Sequence, residues 1–336
     1  MNSRERVYAT LDFQGPDRLP VDLWSLPAAF FGREEAVNAL LTRYPTDFGG
    51  VGVENAFDIG YYPRGTTIDH WGCEWLVLQE GLVGEVKHAP LEDYARLKDY
   101  AWPEMPFGPG WQQATEGLKA QQDRFTLGWV GDPFERMQFL RGTENLYVDL
   151  ADEDCEEVYL LRDKVFAMMR EYVERWARTP VNGLRINDDW GSQRTLLISP
   201  AKWREFFKPK YKEIFDIARD AGKRIFFHSD GYILDIYPDL IELGVSAINS
   251  QIWCMGLDAL EPFTGKVTFW GELDRQNMLP FGKPADIRAA ARQMAKALYR
   301  NGGLIGEGEM DHLTSLENIE AMLTAWGEID IDSSAY

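Results

Sequence analysis

The run Arg224-Ile225-Phe226-Phe227 leads straight into His228-Ser229-Asp230-Gly231. In an extended chain, residues two apart face the same way, so an imidazole and a carboxylate leave one strand end together, able to ligate one metal ion or relay one proton. Two further β-rich runs end similarly, 267–270 in Gly271-Glu272-Leu273-Asp274 and 303–305 in Gly306-Glu307-Gly308-Glu309. Converging carboxylates repel one another unless protons or a cation compensate. One His with two or three carboxylates suits Zn²⁺ or another divalent ion with an open position. The expected ligand set is His228, Glu272 and one of Glu307 or Glu309, with Asp230 as a further ligand or beside one. If there is no metal, the cluster should instead keep a proton on Asp230 or a glutamate and spend it as a general acid. Helix caps and surface acids are the plainer use of the same residue types.

A fourth exit, after residues 181–186, reads Asn187-Asp188-Asp189-Trp190-Gly191-Ser192-Gln193. Neighbouring acids cannot both face inward from extended chain, so one of Asp188 and Asp189 is expected to act on substrate and the other to brace a loop or cap a helix. Aromatic residues recur near these exits. Tyr61, Tyr62, Trp71, Trp129, Trp190 and Trp253, with Gln193, are the candidate walls of a pocket for a small hydrophobic or aromatic ligand; Trp111 recurs there too. Most aromatics are core residues by default.

These groups meet only if their strands share one mouth. Short β-rich runs at 125–130, 181–186, 224–227, 246–252, 267–270 and 303–305 alternate with segments of helical period. A helix begins near Pro284, burying Ile287, Ala290, Met294 and Leu298 before Gly302 and Gly303. Residues 200–220 form another, kinked or split by Pro209, and Thr314 to Glu317 reads as a capping box opening a last one. Near-continuous apolar strands between helices demand a parallel sheet, and without a G-x-G-x-x-G after a strand a closed (β/α)₈ TIM barrel is favoured over a dinucleotide-binding sheet. Residues 1–120 are less regular. They are expected to supply the first strand near 18–24, a hairpin between Trp75 and Val86, and loops walling the mouth, all within a single domain spanning 1–336.

Composition narrows the partners. With 54 Asp+Glu against 35 Lys+Arg, a net charge of -19 repels nucleic acid and anionic lipid. Three widely spaced cysteines, no signal-peptide pattern and no long apolar run point to a cytoplasmic protein that neither spans nor binds a membrane.

The stretches SRERVYATLDFQGPDRLPVD (3–22), DHWGCEW (69–75), FERMQFLRGTENLYVDL (134–150), DDWGSQRTLLISPAKWREFFKPKYKEIFD (188–216), FHSDG (227–231), VTFWGELD (267–274) and LENI (316–319) together resemble the uroporphyrinogen decarboxylase-like superfamily, in its corrinoid-dependent methyltransferase branch. The resemblance implies a (β/α)₈ barrel. The decarboxylases carry an R-Q-A-G-R segment for a polycarboxylate porphyrinogen, whereas residues 24–30 here read WSLPAAF. The methyltransferases commonly bind Zn²⁺ through H-x-C and a later Cys. Here His228 is kept, Asp230 stands at the first Cys position, and Gly308 stands at the second, between Glu307 and Glu309. A thiolate site is therefore absent, and an oxygen-rich one suits cleavage of a methyl ether better than activation of a thiol.

The resemblance thus implies methyl transfer from a small methoxylated compound to the Co(I) of cobalamin on a separate corrinoid protein. Decarboxylation of a small acid and a non-catalytic ligand-binding barrel are the rivals. The oligomeric state is open, a homodimer included.

Overall fold

The computed structural model describes residues 1–57, 60 and 62–331. Its strands are, in chain order, β1 (Trp24–Ser25), β2 (Phe48–Gly49), β3 (Gly65–Ile68), β4 (Glu74–Val77), β5 (Glu85–His88), β6 (Phe125–Gly131), β7 (Gly183–Asn187), β8 (Arg224–Ser229), β9 (Ala247–Ser250), β10 (Thr268–Glu272), β11 (Leu304–Glu307) and β12 (Glu309–Met310). A seven-stranded sheet runs β11-β10-β9-β8-β7-β6-β2 with every pair parallel. The segment leading into β1 closes it. On one side Asp47 N–H donates to Val21 O at 2.8 Å; on the other Asp22 N–H donates to Gly306 O at 2.8 Å and β1 pairs with β12. The barrel expected from the strand rhythm is therefore present, and its second strand, β2, is the one hidden in the Gly-rich segment 48–54.

The period of two sorts each strand. Phe48, Phe125, Phe226, Ala247, Trp270 and Ile305 point inward and pack with Val7 and Leu11 of the helix Ser3–Leu11. Their neighbours Val130, Leu184, Ile186, Ile225, Phe227, Ile248, Phe269 and Leu304 face the outer helices in the larger core. A side chain at Gly306 would meet the Trp326 ring at 2.4 Å, so strand and last helix touch through glycine. Where the inward positions turn from apolar to polar, the mouth begins.

Three local expectations shift. The hairpin pairs Trp75 with Val86 as read, and β3 adds a third antiparallel strand. The irregularity at Pro209 falls one turn earlier, as π-helical residues Trp203–Phe207 ahead of the helix Lys208–Asp220, because proline has no N–H to offer the preceding turn. The last helix is capped by Ser315, which accepts from Asn318 N, and not by Thr314, whose hydroxyl donates to Asp311. Among the described residues no helix is long and apolar enough to cross a membrane. Cys73, Cys155 and Cys254 are free thiols.

Asp47 ties the amino-terminal helix to the first strand. Fully buried, it accepts from Arg6 Nη1 at 2.7 Å, Arg18 Nη1 at 2.8 Å and Val21 N at 2.8 Å. Asp47→Ala leaves Arg6 without its buried partner and is expected to cost about 3–5 kcal/mol. Urea unfolding should show that loss in a single transition. An unchanged midpoint, or a separate early transition of the amino-terminal region, would contradict this role.

Candidate active site

The loops following β7 and β8 cross at Gly191 and Gly231, and that crossing builds the site. Gly231 has φ +76°, and a side chain there would lie 2.2 Å from Gly191 O. Gly191 N donates to Asp230 O at 3.1 Å, Tyr232 N to Ser192 O at 2.7 Å, and Asp230 N to the Asp189 carboxylate at 2.8 Å. Asp189, His228 and Asp230 are thereby gathered with one ligand atom each inside a 4.8 Å sphere of mutual distances.

His228 sits at the inward end of β8, 9% exposed. Its Nδ1 faces Asn249 Oδ1 at 2.6 Å, while Asn249 Nδ2 donates to Trp270 O at 2.7 Å and to Glu307 Oε2 at 3.3 Å. With the amide so oriented, Nδ1 donates to Asn249 and Nε2 is the atom turned into the mouth. Nε2 lies between Asp189 Oδ1, at 3.5 Å, and Asp230 Oδ1, at 3.6 Å. Asp230 Oδ1 is buried and accepts no hydrogen bond. An imidazole nitrogen and two carboxylate oxygens gathered together are a donor set that fits a divalent ion, and the Asn249 contact behind the ring is the usual support for such a ligand. Burial, then the charge of Asp230, pushes the Asp189 carboxyl up to about 6.

The acids expected to complete a metal site do not join this group. Glu309 accepts from Arg275 Nη1 at 2.8 Å, and Glu272 lies 3.5 Å from Arg275 Nε. Glu307 is fully buried against Asn249, with Glu272 as its register partner. Burial holds both Glu272 and Glu307 well above the usual carboxylate range. Arg275, whose other fork nitrogen donates to Asp230, supplies a positive charge that relieves much of the repulsion among these acids.

The adjacent acids divide as the geometry demanded. Asp189 turns into the mouth. Asp188 is fully buried; its Oδ1 accepts from Phe134 N at 2.8 Å and Glu135 N at 3.2 Å at the start of the helix Pro133–Arg141, and Tyr211 donates to its Oδ2. It is a helix anchor and cannot also position a substrate. Trp190, expected to touch ligand, is instead stacked on Phe134 at 3.8 Å in the core, and Trp71 is buried with its indole N–H on Ala56 O. Tyr62 packs on Trp75, and Tyr61 lies outside the described residues.

Trp129 does line a cavity, of about 370 Å³, with Asp22, Trp24, Phe48 and Arg185. Through Trp24 and Arg185 it adjoins a cleft of about 630 Å³ that His228, Asn187, Arg275, Glu309 and His312 help to line. Arg185 stands between the Trp24 and Trp129 rings, 4.7 and 4.6 Å from their centroids, and Trp24 also contacts the His228 ring at 4.9 Å. Gln193 and Trp253 line a smaller space of about 140 Å³ beside Glu272 and Arg275, Gln193 donating to Gln251 at 2.8 Å. Sequence reasoning missed Asp22, Trp24, Arg185, Asn249 and Arg275. The alternation within the strands could have found Asn249, two residues past inward Ala247. For Arg275, on a loop, the sequence carries no such signal.

Asp22 is buried beneath this cleft, accepting from Leu23 N, Trp24 Nε1 and Trp270 Nε1. Burial outweighs those donors and lifts its carboxyl to about 6. The folded state therefore holds this proton more tightly than the unfolded chain does, and the contribution of Asp22 to stability falls as pH rises from about 4 to 6. Asp22→Asn should remove that slope. The urea midpoint of wild type minus that of the variant is expected to decline across the window, and a flat difference would contradict the assignment.

A parallel barrel whose mouth carries an imidazole–carboxylate group beside an aromatic cleft defines a (β/α)₈ enzyme-type architecture. The sequence matches the uroporphyrinogen decarboxylase (URO-D) family over residues 72–329, and the chain belongs to that family. Among solved structures, a methyltransferase from Methanosarcina mazei is similar along its whole length, with TM-score 0.72 and 15% identity, covering 98% of this chain and 99% of that one. More distant are a ruminal GH26 endo-beta-1,4-mannanase (TM-score 0.46, 8% identity, 98% and 67% covered) and a chitinase from Chromobacterium violaceum ATCC 12472 (0.45, 9%, 93% and 100%). No curated protein matches the sequence.

Proposed function

We propose that this protein is a methyltransferase that moves a methyl group from a small methoxylated compound to the Co(I) of a separate corrinoid protein. The observation that carries it is the Nε2 of His228 facing Asp189 and Asp230 at the edge of a cleft that Trp24 helps to wall. The likeness to the Methanosarcina mazei methyltransferase supports the class of reaction.

Cleaving a methyl ether requires that the oxygen left behind be stabilised as its bond to carbon breaks. Asp189, His228 and Asp230 would hold a divalent ion, Zn²⁺ or another, which would draw charge from that oxygen. Asn249 keeps the His228 ring turned toward it. With no ion bound, Asp189, its carboxyl raised by burial, would instead be the group placed to pass a proton to the departing oxygen. Trp24, in the cleft that His228 also lines, gives a planar body an aromatic surface to pack against. Arg275, engaged by Asp230, Glu272 and Glu309, offers little to a polycarboxylate substrate.

The test compares methoxybenzene and 2-methoxyphenol incubated with the protein alone and with a reduced corrinoid protein added. The phenolic product is expected only in the second case. Release of CO₂ from small acids without any corrinoid would favour decarboxylation instead.

A further inference from the structure

Asp230, Glu272 and Glu309 leave three different strand ends, yet one guanidinium meets all of them. Arg275 donates through Nη2 to Asp230 and through Nη1 to Glu309 at 2.8 Å, and its Nε lies 3.5 Å from Glu272. Its side chain is only 23% exposed. The loop that carries it is pinned separately, by Asp274 Oδ1 accepting from Gln276 N and Asn277 N, each at 2.9 Å. The arginine is therefore not needed to shape its own loop.

We propose that Arg275 is a resident cation that sets which divalent ion the mouth accepts, by withholding Glu272 and Glu309 from it. This rests on the reading of Asp189, His228 and Asp230 as the ligand group. With Arg275 in place, Asp230 keeps only Oδ1 free, its Oδ2 being held by the guanidinium, so an incoming ion is offered one imidazole nitrogen, Asp189 and a single Asp230 oxygen with positions left open, a set suited to Zn²⁺. Mn²⁺ lies below Zn²⁺ in intrinsic affinity for such a mixed site, and Mg²⁺ or Ca²⁺ wants more oxygens than it supplies. Removing the guanidinium frees the second oxygen of Asp230 and the carboxyl groups of Glu272 and Glu309 beside the same space. The number of oxygens open to an ion then rises, which favours the harder ions. A planar fork can hydrogen-bond two acids, Asp230 and Glu309, while facing a third, Glu272, from one position, which an ammonium does less completely.

The experiment titrates metal-stripped wild type, Arg275→Gln, Arg275→Lys and Glu309→Gln with Zn²⁺ against a chromophoric chelator and with Mn²⁺ by the electron paramagnetic resonance of the free ion. In Arg275→Gln, Mn²⁺ affinity is expected to rise about tenfold or more relative to Zn²⁺, with Arg275→Lys nearer wild type. Glu309→Gln is expected to hold Zn²⁺ about as tightly as wild type, because Arg275 already occupies that carboxylate, and this variant decides the matter if Arg275→Gln does not fold. An unchanged Zn²⁺/Mn²⁺ preference in Arg275→Gln, or loss of Zn²⁺ in Glu309→Gln, would overturn the proposal. If wild type takes no ion but Arg275→Gln takes Mn²⁺, Arg275 stands as the resident cation and the metal part of the functional reading falls. If neither takes an ion, both fall.

Discussion

His228→Ala is expected to lower methyl transfer by roughly 10³-fold or more and to abolish divalent-ion binding, with the barrel intact. The imidazole is the one nitrogen donor in the group with Asp189 and Asp230, and Asn249 already fixes which nitrogen faces them. Removing it leaves two carboxylates 3.5 and 3.6 Å from an empty position, with nothing to hold an ion between them in open-coordination geometry. Glu272→Gln should behave differently and retain the ion, because Glu272 faces Arg275. Elemental analysis of protein purified without chelator separates the two. Metal retained at about one per chain in His228→Ala, or lost in Glu272→Gln, would show that the ligand group has been drawn wrongly.

Two neighbouring acids should give opposite phenotypes. Asp188→Ala strips the first turn of the helix Pro133–Arg141 of its acceptor, leaving the N–H groups of Phe134 and Glu135 and the Tyr211 hydroxyl facing an apolar methyl. Unsatisfied buried donors and a lost helix cap together cost on the order of 3 kcal/mol. Asp189→Ala removes a half-exposed side chain from the mouth and should leave the urea midpoint nearly unchanged while activity falls by about 10²-fold or more. Measuring midpoint and rate on both variants checks the division. Asp188→Ala with normal stability and no activity would mean that the wrong acid has been placed at the reaction centre.

The reasons that some of this was legible in the sequence and some was not are physical. The barrel was readable because β6 to β11 are apolar runs separated by amphipathic helices, and the hairpin between Trp75 and Val86 because β-rich residues flank its turn. Strand β2 was not, since two residues of pairing at Phe48 and Gly49 leave no periodic trace. His228 and Asp230 were placed by the period of two, which fixes direction along a strand but not distance across a barrel. That is why Asp189 came in and Glu272, Glu307 and Glu309 went out: their neighbours in space, Arg275 and Asn249, come from other parts of the chain. The assumption that converging carboxylates need a metal was sound in its electrostatics and incomplete in its inventory of cations. The aromatic candidates divided by burial, Trp129 and Trp253 reaching a cavity and Trp71 and Trp190 filling the core.

The most direct test of the proposed function follows the methyl group itself. The protein is mixed anaerobically with a reduced corrinoid protein and 2-methoxyphenol bearing a deuterated methyl, and the corrinoid is examined by absorption spectroscopy and mass spectrometry. The expected result is conversion of Co(I) to methyl-Co(III) carrying the deuterium label, dependent on this protein and lost in His228→Ala. Demethylation that proceeds equally well with no corrinoid present, or a label that never reaches cobalt while the phenol is released, would contradict it.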